Sequence, residues 1–538
     1  MDRLVDTKVD NVRTRFDSNW MWTDSGWDWN STKMNAFYKW GKMLQDRDIS
    51  ITIQAGWHLY DFICFYNKKF NTGIVDTQDL NGTGHSSIPE VNYLHGYQAD
   101  ATTKATALYG EDAKASKIES DARALGLGLN DDEYKHYSVA AARYGEWIKQ
   151  GITALKAHGV NNVEYVLPFT ESGDNNANDE IYSYDEWIVM TMGLNNALKD
   201  AGLRNNVKFI GPAQSIYAYQ NRLSMIEYIY SKISKSSEYK NMIDINAMHQ
   251  YTRPNSEAGY PNTVYDPEAS YSMAEENFTY YDEVLTNSGV RNQEFWCDEY
   301  FAHSPDAKWW NDVGMQMTQF AAGLTAGINN GVNRFLTWQM FDCLWDSERT
   351  HGSGIHDNSN EFSGGVHAVG TCPSLVHVDG KTCPNGPSCP CTANYNISSY
   401  VPRTTYYGIN LIGKYMNNEN AEVFNAQVID DAEENGGIYV SAIKNDDGKT
   451  VILVVNTNDI ITNVDVQFDN ENVSSLKRYT YDPNEIVPTA EAKSLPSDKT
   501  IALKGSSSFA DIIPAQSFAI YVEEGTFIGD DVNIPWFN

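Results

Sequence analysis

The sequence predicts an α/β architecture: a (β/α)8 TIM-type barrel followed by an antiparallel β-sandwich. Three observations carry that expectation. Between about residues 10 and 420, short apolar β-rich runs alternate with long amphipathic segments. Three of the four amphipathic segments between strands end at or beside a glycine, and all lead on to the next apolar run. After about residue 420 the helical period disappears, and short β-rich runs follow one another between Asn, Asp and Gly turns.

Taken in order, the first region holds seven strand-like runs: 12–17, 49–57, 163–171, 207–215, 243–251, 294–302 and 334–342. Helix-like stretches cover 132–160, 185–203, 220–242 and 312–332, and a last one begins YYGINLIGKYM. Repeated strand–helix–strand order means a parallel sheet covered by helices. Seven such units with large insertions favour a closed barrel over an open sheet. No GxGxxG or GxxxxGK[ST] follows a strand, so no nucleotide cofactor is expected. Residues 1–10 read as the end of a first helix, which puts the first barrel strand before Met1; a strand hidden in the 60–130 insertion is the alternative. The domains expected are a barrel over 1–419, with insertions at 60–130 and 346–400, and a β-sandwich over 420–538.

Composition narrows the function. Forty Lys and Arg against 71 Asp and Glu leave a net charge of −31, which would repel phosphate backbones and anionic lipids. Nucleic acid is therefore not an expected partner. No apolar run is long enough to span a membrane. Fourteen Trp, 33 Tyr and 20 Phe exceed what a core needs and suit flat, neutral, hydroxyl-rich ligands. Cys64, Cys297 and Cys343 read as buried thiols, whereas Cys372, Cys383, Cys389 and Cys391 crowd one Pro/Gly-rich loop. Two disulfides are expected there, in any of three pairings; reduced thiols or zinc are the alternatives, although the spacing matches no common zinc motif. Disulfides, together with sequons at Asn30, Asn81, Asn277, Asn396 and Asn472, point to a secreted, periplasmic or cell-surface protein, although residues 1–10 are not a signal peptide. The protein is expected to act as a monomer.

In a barrel, reactive groups sit at the C-terminal ends of strands. The third visible strand ends at Thr170 and Glu171, and the sixth at Asp298 and Glu299. His249 and Tyr251 share a face of the fifth by the period of two, as Arg13 and Arg15 do on the first. Trp57, His58 and Trp338 stand at the ends of the second and seventh. By the same alternation Asp298 should point away from Glu299, toward the helices. Two carboxylates, an Arg, a His, a Tyr and several Trp suit cleavage of a glycosidic bond, one carboxyl protonating the leaving oxygen while the other attacks the sugar carbon. Four Trp at 20, 22, 27 and 29 add a loop in which at least one reads as a sugar platform.

These residues resemble the clan A glycoside hydrolases, particularly families 30, 39 and 79, which join the barrel to a C-terminal β-sandwich. W296-C-D-E299-Y300 looks like the clan's nucleophile strand, and H249-Q-Y251 is similar to its H-x-Y, whose Tyr bonds the nucleophile. V12-R13 resembles the Arg of its second strand, and Trp338 the Trp that floors the sugar subsite. The resemblance implies Glu171 as acid/base and Glu299 as nucleophile of a retaining hydrolase of β-linked polysaccharide or oligosaccharide, with Arg13, Trp57, His58, Thr170, His249, Tyr251 and Trp338 binding substrate. It departs from the clan at Thr170, where an Asn normally precedes the acid/base. That departure leaves open a barrel that binds carbohydrate without cleaving it. A metal-dependent hydrolase would want His-x-His at a strand end, and the sequence has none.

Overall fold

A computed structural model describes residues 9–16, 21–23, 26–55, 112–170, 184–214, 225–251, 267–301, 315–337, 367–369, 400–402, 404–417, 420–429, 436–445, 447–467, 473–486 and 494–524. All seven expected runs are strands: β1 (Asn11–Arg15), β2 (Ser50–Gln54), β3 (Val163–Leu167), β4 (Lys208–Gln214), β5 (Ile245–Tyr251), β6 (Glu294–Phe301) and β7 (Arg334–Thr337). They pair in parallel in that order to make a nearly closed barrel. Among the described residues no eighth strand joins it. Of the expected 60–130 insertion, residues 112–125 are helical, and 56–111 lie outside the described residues.

Tyr165, Leu167, Ile210, Ala213, Ile245, Ala247 and Trp296 fill the barrel interior as a separate apolar cluster. Below them the Arg334 guanidinium stacks 4.6 Å from the Trp296 ring and pairs with Asp10 at 2.9 Å. That ion pair links the start of β7 to the chain entering β1, the two edges of the sheet.

The helices are α1 (Thr32–Gln45), α2 (Asp112–Leu125), α3 (Asp131–Ala157), α4 (Tyr184–Asp200), α5 (Met225–Ile233), α6 (Pro267–Asn287), α7 (Met315–Asn329) and α8 (Thr404–Met416). Their ends follow from side-chain chemistry. Ser31 accepts from the Met34 amide to cap α1. Asn130 and Glu133 each accept the other's backbone N–H, a reciprocal cap that starts α3. Gly159, Gly202, Gly289 and Gly331 follow α3, α4, α6 and α7 with positive φ. In each case the next residue's amide returns to the last turn: Val160 to Leu155, Leu203 to Leu198, Val290 to Leu285 and Val332 to Gly327. The expected glycine stops at Gly159, Gly202 and Gly331 are therefore structural. Two expectations change. The helix anticipated over 220–242 ends at Ile233, because Ser234, Ser236 and Ser237 bring no apolar stripe and favour turns. α1, α2 and α6 were not anticipated; the inner face of α6 carries buried Ser270 and Asn277 among its apolar residues.

Beyond α8 lie β8 (Glu422–Phe424), β9 (Ile438–Lys444), β10 (Thr450–Asn456), β11 (Thr462–Gln467), β12 (Ser475–Tyr481), β13 (Lys499–Ala502), β14 (Ser508–Ile513) and β15 (Ser517–Glu523). β13 and β14 were not anticipated. Six strands form an antiparallel sheet in the order β8-β9-β10-β15-β12-β13, and β11 pairs with β14 in a separate ribbon. Alternation divides the sheet's faces. Val451, Leu453, Val455, Phe518, Ile520 and Val522 join the same apolar core as the barrel helices. Ile452, Val454, Ala519 and Tyr521 face Phe509 and Ile513 of the ribbon. Tyr439 stacks on Tyr271 of α6 at 4.1 Å, and Tyr479 lies 4.4 Å from Tyr415 of α8.

The barrel helices pack closely where α3 meets α4. A Cβ on Gly145 would strike the Gly193 carbonyl, and one on Gly193 would strike that of Ala141. Alanine at 193 gains about 1 kcal/mol of helix propensity. Overpacking against backbone that cannot swing aside costs about 1–3 kcal/mol before any gain. Gly193→Ala should therefore lower the urea midpoint relative to wild type; an unchanged or raised midpoint would refute this packing.

Candidate active site

The site is assembled at the C-terminal end of the parallel strands. Arg13 projects from β1 and uses all five of its N–H donors. Nε donates to Gln54 Oε1 at 3.0 Å; one η-nitrogen donates to the Asp298 carbonyl at 2.7 Å and to Asp298 Oδ2 at 3.0 Å; the other donates to Glu299 Oε1 and to Thr170 Oγ1 at 3.3 Å. Tyr251 donates its hydroxyl to Glu299 Oε2 at 2.7 Å, and His249 Nδ1 lies 3.3 Å from the same oxygen. On the other ring edge, His249 Nε2 lies 3.2 Å from Thr170 Oγ1 and 3.6 Å from Asp298 Oδ2.

Local structure explains these placements. On β5, His249 and Tyr251 turn toward the site, while the intervening Gln250 accepts from Asn277 of α6 at 2.7 Å. Tyr144 of α3 donates to the Pro168 carbonyl at 2.7 Å and packs on Phe169 at 5.1 Å, so a buried anchor sets the chain just ahead of Thr170. On β6 the expected alternation fails. Met248 pairs with Cys297, but His249 pairs with Glu299, so Asp298 is the extra residue of a β-bulge. A bulge re-aims side chains. Trp296 faces the barrel interior, and Tyr300 turns outward to the Phe320 carbonyl of α7. Asp298 and Glu299 both reach Arg13. Asp298 thus points into the site, contrary to the expectation from period two. Cys297 donates its thiol across the bulge to the Glu299 carbonyl at 3.3 Å, and burial raises the thiol's pKa, which keeps it protonated.

Electrostatics favour an ionised Glu299. Burial alone would push its carboxyl up, but Arg13, His249 and the Tyr251 hydroxyl outweigh that and hold it below the ordinary carboxylate range. Burial would likewise lower Arg13, yet Glu299, Asp298 and Tyr251 raise it, so the guanidinium stays charged.

Of the residues singled out from sequence, the structure brings Arg13, Thr170, His249, Tyr251 and Glu299 together. Glu171, Trp57, His58, Trp338 and the four clustered cysteines lie outside the described residues. Gln54 and Asp298 are additions. Gln54 closes the run SITIQ as a buried polar residue at a strand tip, a signal the sequence did carry. Trp27 and Trp29 pack with each other at 6.3 Å, and Phe16 and Trp147 complete an aromatic cluster with them, so these two lie half-buried against the core; nothing described concerns the side chains of Trp20 and Trp22. Asn277 is fully buried and bonded to Gln250, which removes it as a glycan acceptor in the folded chain, whereas Asn30 is exposed.

Removing the cation tests this arrangement. Breaking a buried ion pair typically costs about 3–5 kcal/mol because a charge is stranded. Arg13→Gln should cost about that much in urea unfolding near pH 7 and should move the acid limb of stability to higher pH. A carboxyl held below its unfolded pKa contributes stability above about pH 4.3 and loses it as pH falls through the depressed value. The advantage of wild type over Glu299→Gln should accordingly shrink on acidification. A constant difference would refute the depressed carboxyl.

No protein-family model matches the sequence, and no curated protein is similar to it. Solved structures are similar in fold. A GH30 endoxylanase from Clostridium papyrosolvens aligns over 97% of this chain and 92% of its own, at 13% identity and a TM-score of 0.50. A conserved exported protein from Bacteroides fragilis aligns over 95% and 88%, at 12% identity and a TM-score of 0.55. A GH51 arabinofuranosidase from Xanthomonas axonopodis aligns over 97% and 89%, at 12% identity and a TM-score of 0.51. The nearly closed barrel with its appended antiparallel sheet is thus a fold shared with these glycoside hydrolase structures.

Proposed function

We propose that this protein is a retaining glycoside hydrolase that cleaves β-linked polysaccharide or oligosaccharide, with Glu299 as nucleophile and Glu171 as acid/base. The observation that carries this reading is the environment of Glu299. A nucleophilic carboxylate must be anionic, oriented and close to the substrate. Glu299 is kept anionic by Arg13 and His249, and both its oxygens are fixed by donors from β1 and β5. It stands at the end of the barrel where catalytic groups gather.

Thr170 supports the role of its neighbour. Its hydroxyl lies within the cluster that holds Glu299, and Glu171 is the next residue in the sequence. In a retaining enzyme two carboxyl groups stand about 5–5.5 Å apart. In the first step Glu299 attacks the anomeric carbon while Glu171 protonates the departing oxygen. Ester formation removes the charge of Glu299, which lets Glu171 give up its proton more easily and serve as base toward water in the second step. Arg13 and Tyr251 stabilise the carboxylate as it departs again. The likeness to glycoside hydrolase structures supports the substrate class at the level of fold. Among the described residues no helix is long and apolar enough to cross a membrane, and the clustered cysteines support a location outside the cytosol.

Reducing ends released from a panel of polysaccharides and aryl β-glycosides test the activity. Glu299→Ala should abolish turnover, and azide should restore it with inverted product. Glu171→Ala should slow substrates with poor leaving groups by about 10²–10⁴-fold, spare activated aryl glycosides, and respond to azide with retention. Binding of glycans without cleavage at any pH would instead identify a carbohydrate-binding barrel. Near-wild-type rates in both variants would move the search to Asp298 and Glu180.

A further inference from the structure

The described groups of the site do not balance in charge. Arg13 supplies one positive charge, and Asp298 and Glu299 supply two negative ones. Solvent screens little of this: the side chains of His249 and Asp298 are 0% exposed and that of Glu299 12%. An uncompensated buried charge is expensive, and the usual escape is to bind or release a proton. The cluster is neutral with one more proton, and the geometry says where it can reside.

The carboxyls are poor hosts. Both oxygens of Glu299 already receive donors, from Arg13 and from Tyr251, so a hydrogen there would oppose one of them. Asp298 Oδ2 receives Arg13, while Asp298 Oδ1 is buried without a hydrogen-bond partner, so a hydrogen on it would find no acceptor. His249 is differently placed. Its Nδ1 lies 3.3 Å from Glu299 Oε2, and its Nε2 lies 3.6 Å from Asp298 Oδ2 and 3.2 Å from the Thr170 hydroxyl. Neutral imidazole with its N–H on Nδ1 can accept the Thr170 hydroxyl at Nε2, but it brings no charge to the two carboxylates. Imidazolium donates on both.

We propose that Asp298 is a positioning residue whose buried carboxylate makes His249 an imidazolium, so that Glu299 faces two cations instead of one. Among the described residues, Asp298 and Glu299 of β6 favour the proton on His249, Arg13 of β1 opposes it, and Tyr251 of β5, Gln54 of β2 and Thr170 after β3 are neutral. Two anions against one cation leave the balance with the proton. The bulge matters here, because regular alternation from inward-facing Trp296 would keep Asp298 inside and turn Glu299 outward, whereas the extra residue brings both carboxyls onto Arg13 beside His249. The catalytic consequence, a more firmly anionic nucleophile, rests on the proposed glycosidase function; the protonation state does not.

Nitrogen-detected or ¹⁵N-correlated NMR of histidine-labelled, full-length protein reads the state directly, with His249→Gln identifying the resonance. In wild type both His249 nitrogens should show the imidazolium pattern at pH 7, with a midpoint above the ordinary value of about 6.5. Asp298→Asn should lower that midpoint by at least about one pH unit, a tenfold loss of proton affinity. Glu299→Gln should lower it too. A single protonated nitrogen in wild type at pH 7 overturns the proposal whether or not the variants fold, and so does an Asp298→Asn midpoint equal to that of wild type. No substrate enters the measurement, so failure to hydrolyse any glycan would defeat the proposed function and leave this result standing.

Discussion

One guanidinium holds the mouth of the barrel together. Arg13 rises from β1 and touches the tip of β2 through Gln54, the segment after β3 through Thr170, and β6 through Asp298 and Glu299. Backbone ladders tie each strand only to its neighbours, and the distance between β1 and β6 is not set by any ladder. The five-donor fork sets it. Desolvating such a cluster is costly, and its Coulomb attraction repays that only with close geometry. What the arrangement secures is position: a carboxylate held between β1, β5 and β6 in one orientation. An apolar residue at 13 would leave two buried anions without the guanidinium that both of them touch.

The bulge on β6 is the second constraint. Regular pleating would alternate Asp298 and Glu299 between the interior and the helices. One extra residue places both on Arg13, and the Cys297 thiol spans the irregularity to the Glu299 carbonyl. A buried cysteine that looks like ordinary filling is thereby a hydrogen-bond donor at the point where the strand departs from its ladder.

Much of this was legible in the sequence, because it depends on local signals. Glycine stops and strand-like runs set the β/α order, and His249 with Tyr251 share a face by simple alternation. Arg13, Thr170 and Glu299 could be placed by reading strand tips. Asp298 could not, since a bulge arises from pairing with β5 and leaves no mark on the period of β6 itself. α6 escaped for a different reason: Ser270 and Asn277 on its inner face are matched by Gln319 and Gln250 from other elements, and such pairing is invisible along one chain. Trp27 and Trp29 of the Trp-rich loop lie half-buried on an aromatic cluster with Phe16 and Trp147, a contact that composition alone does not reveal.

The C-terminal sheet lays one face into the core of the barrel helices and the other against its own ribbon. A module attached by a polar seam can swing or be removed. Here the seam is the core itself, with Thr318 and Asn329 of α7 bonded to the backbone of the sheet at Gln516 and Val440. Cooperativity follows from that geometry. The α7–α8 side of the barrel and the inward face of the sheet share one interior, so loss of either uncovers the other, and a chain severed after α8 would present a wide oily surface to water.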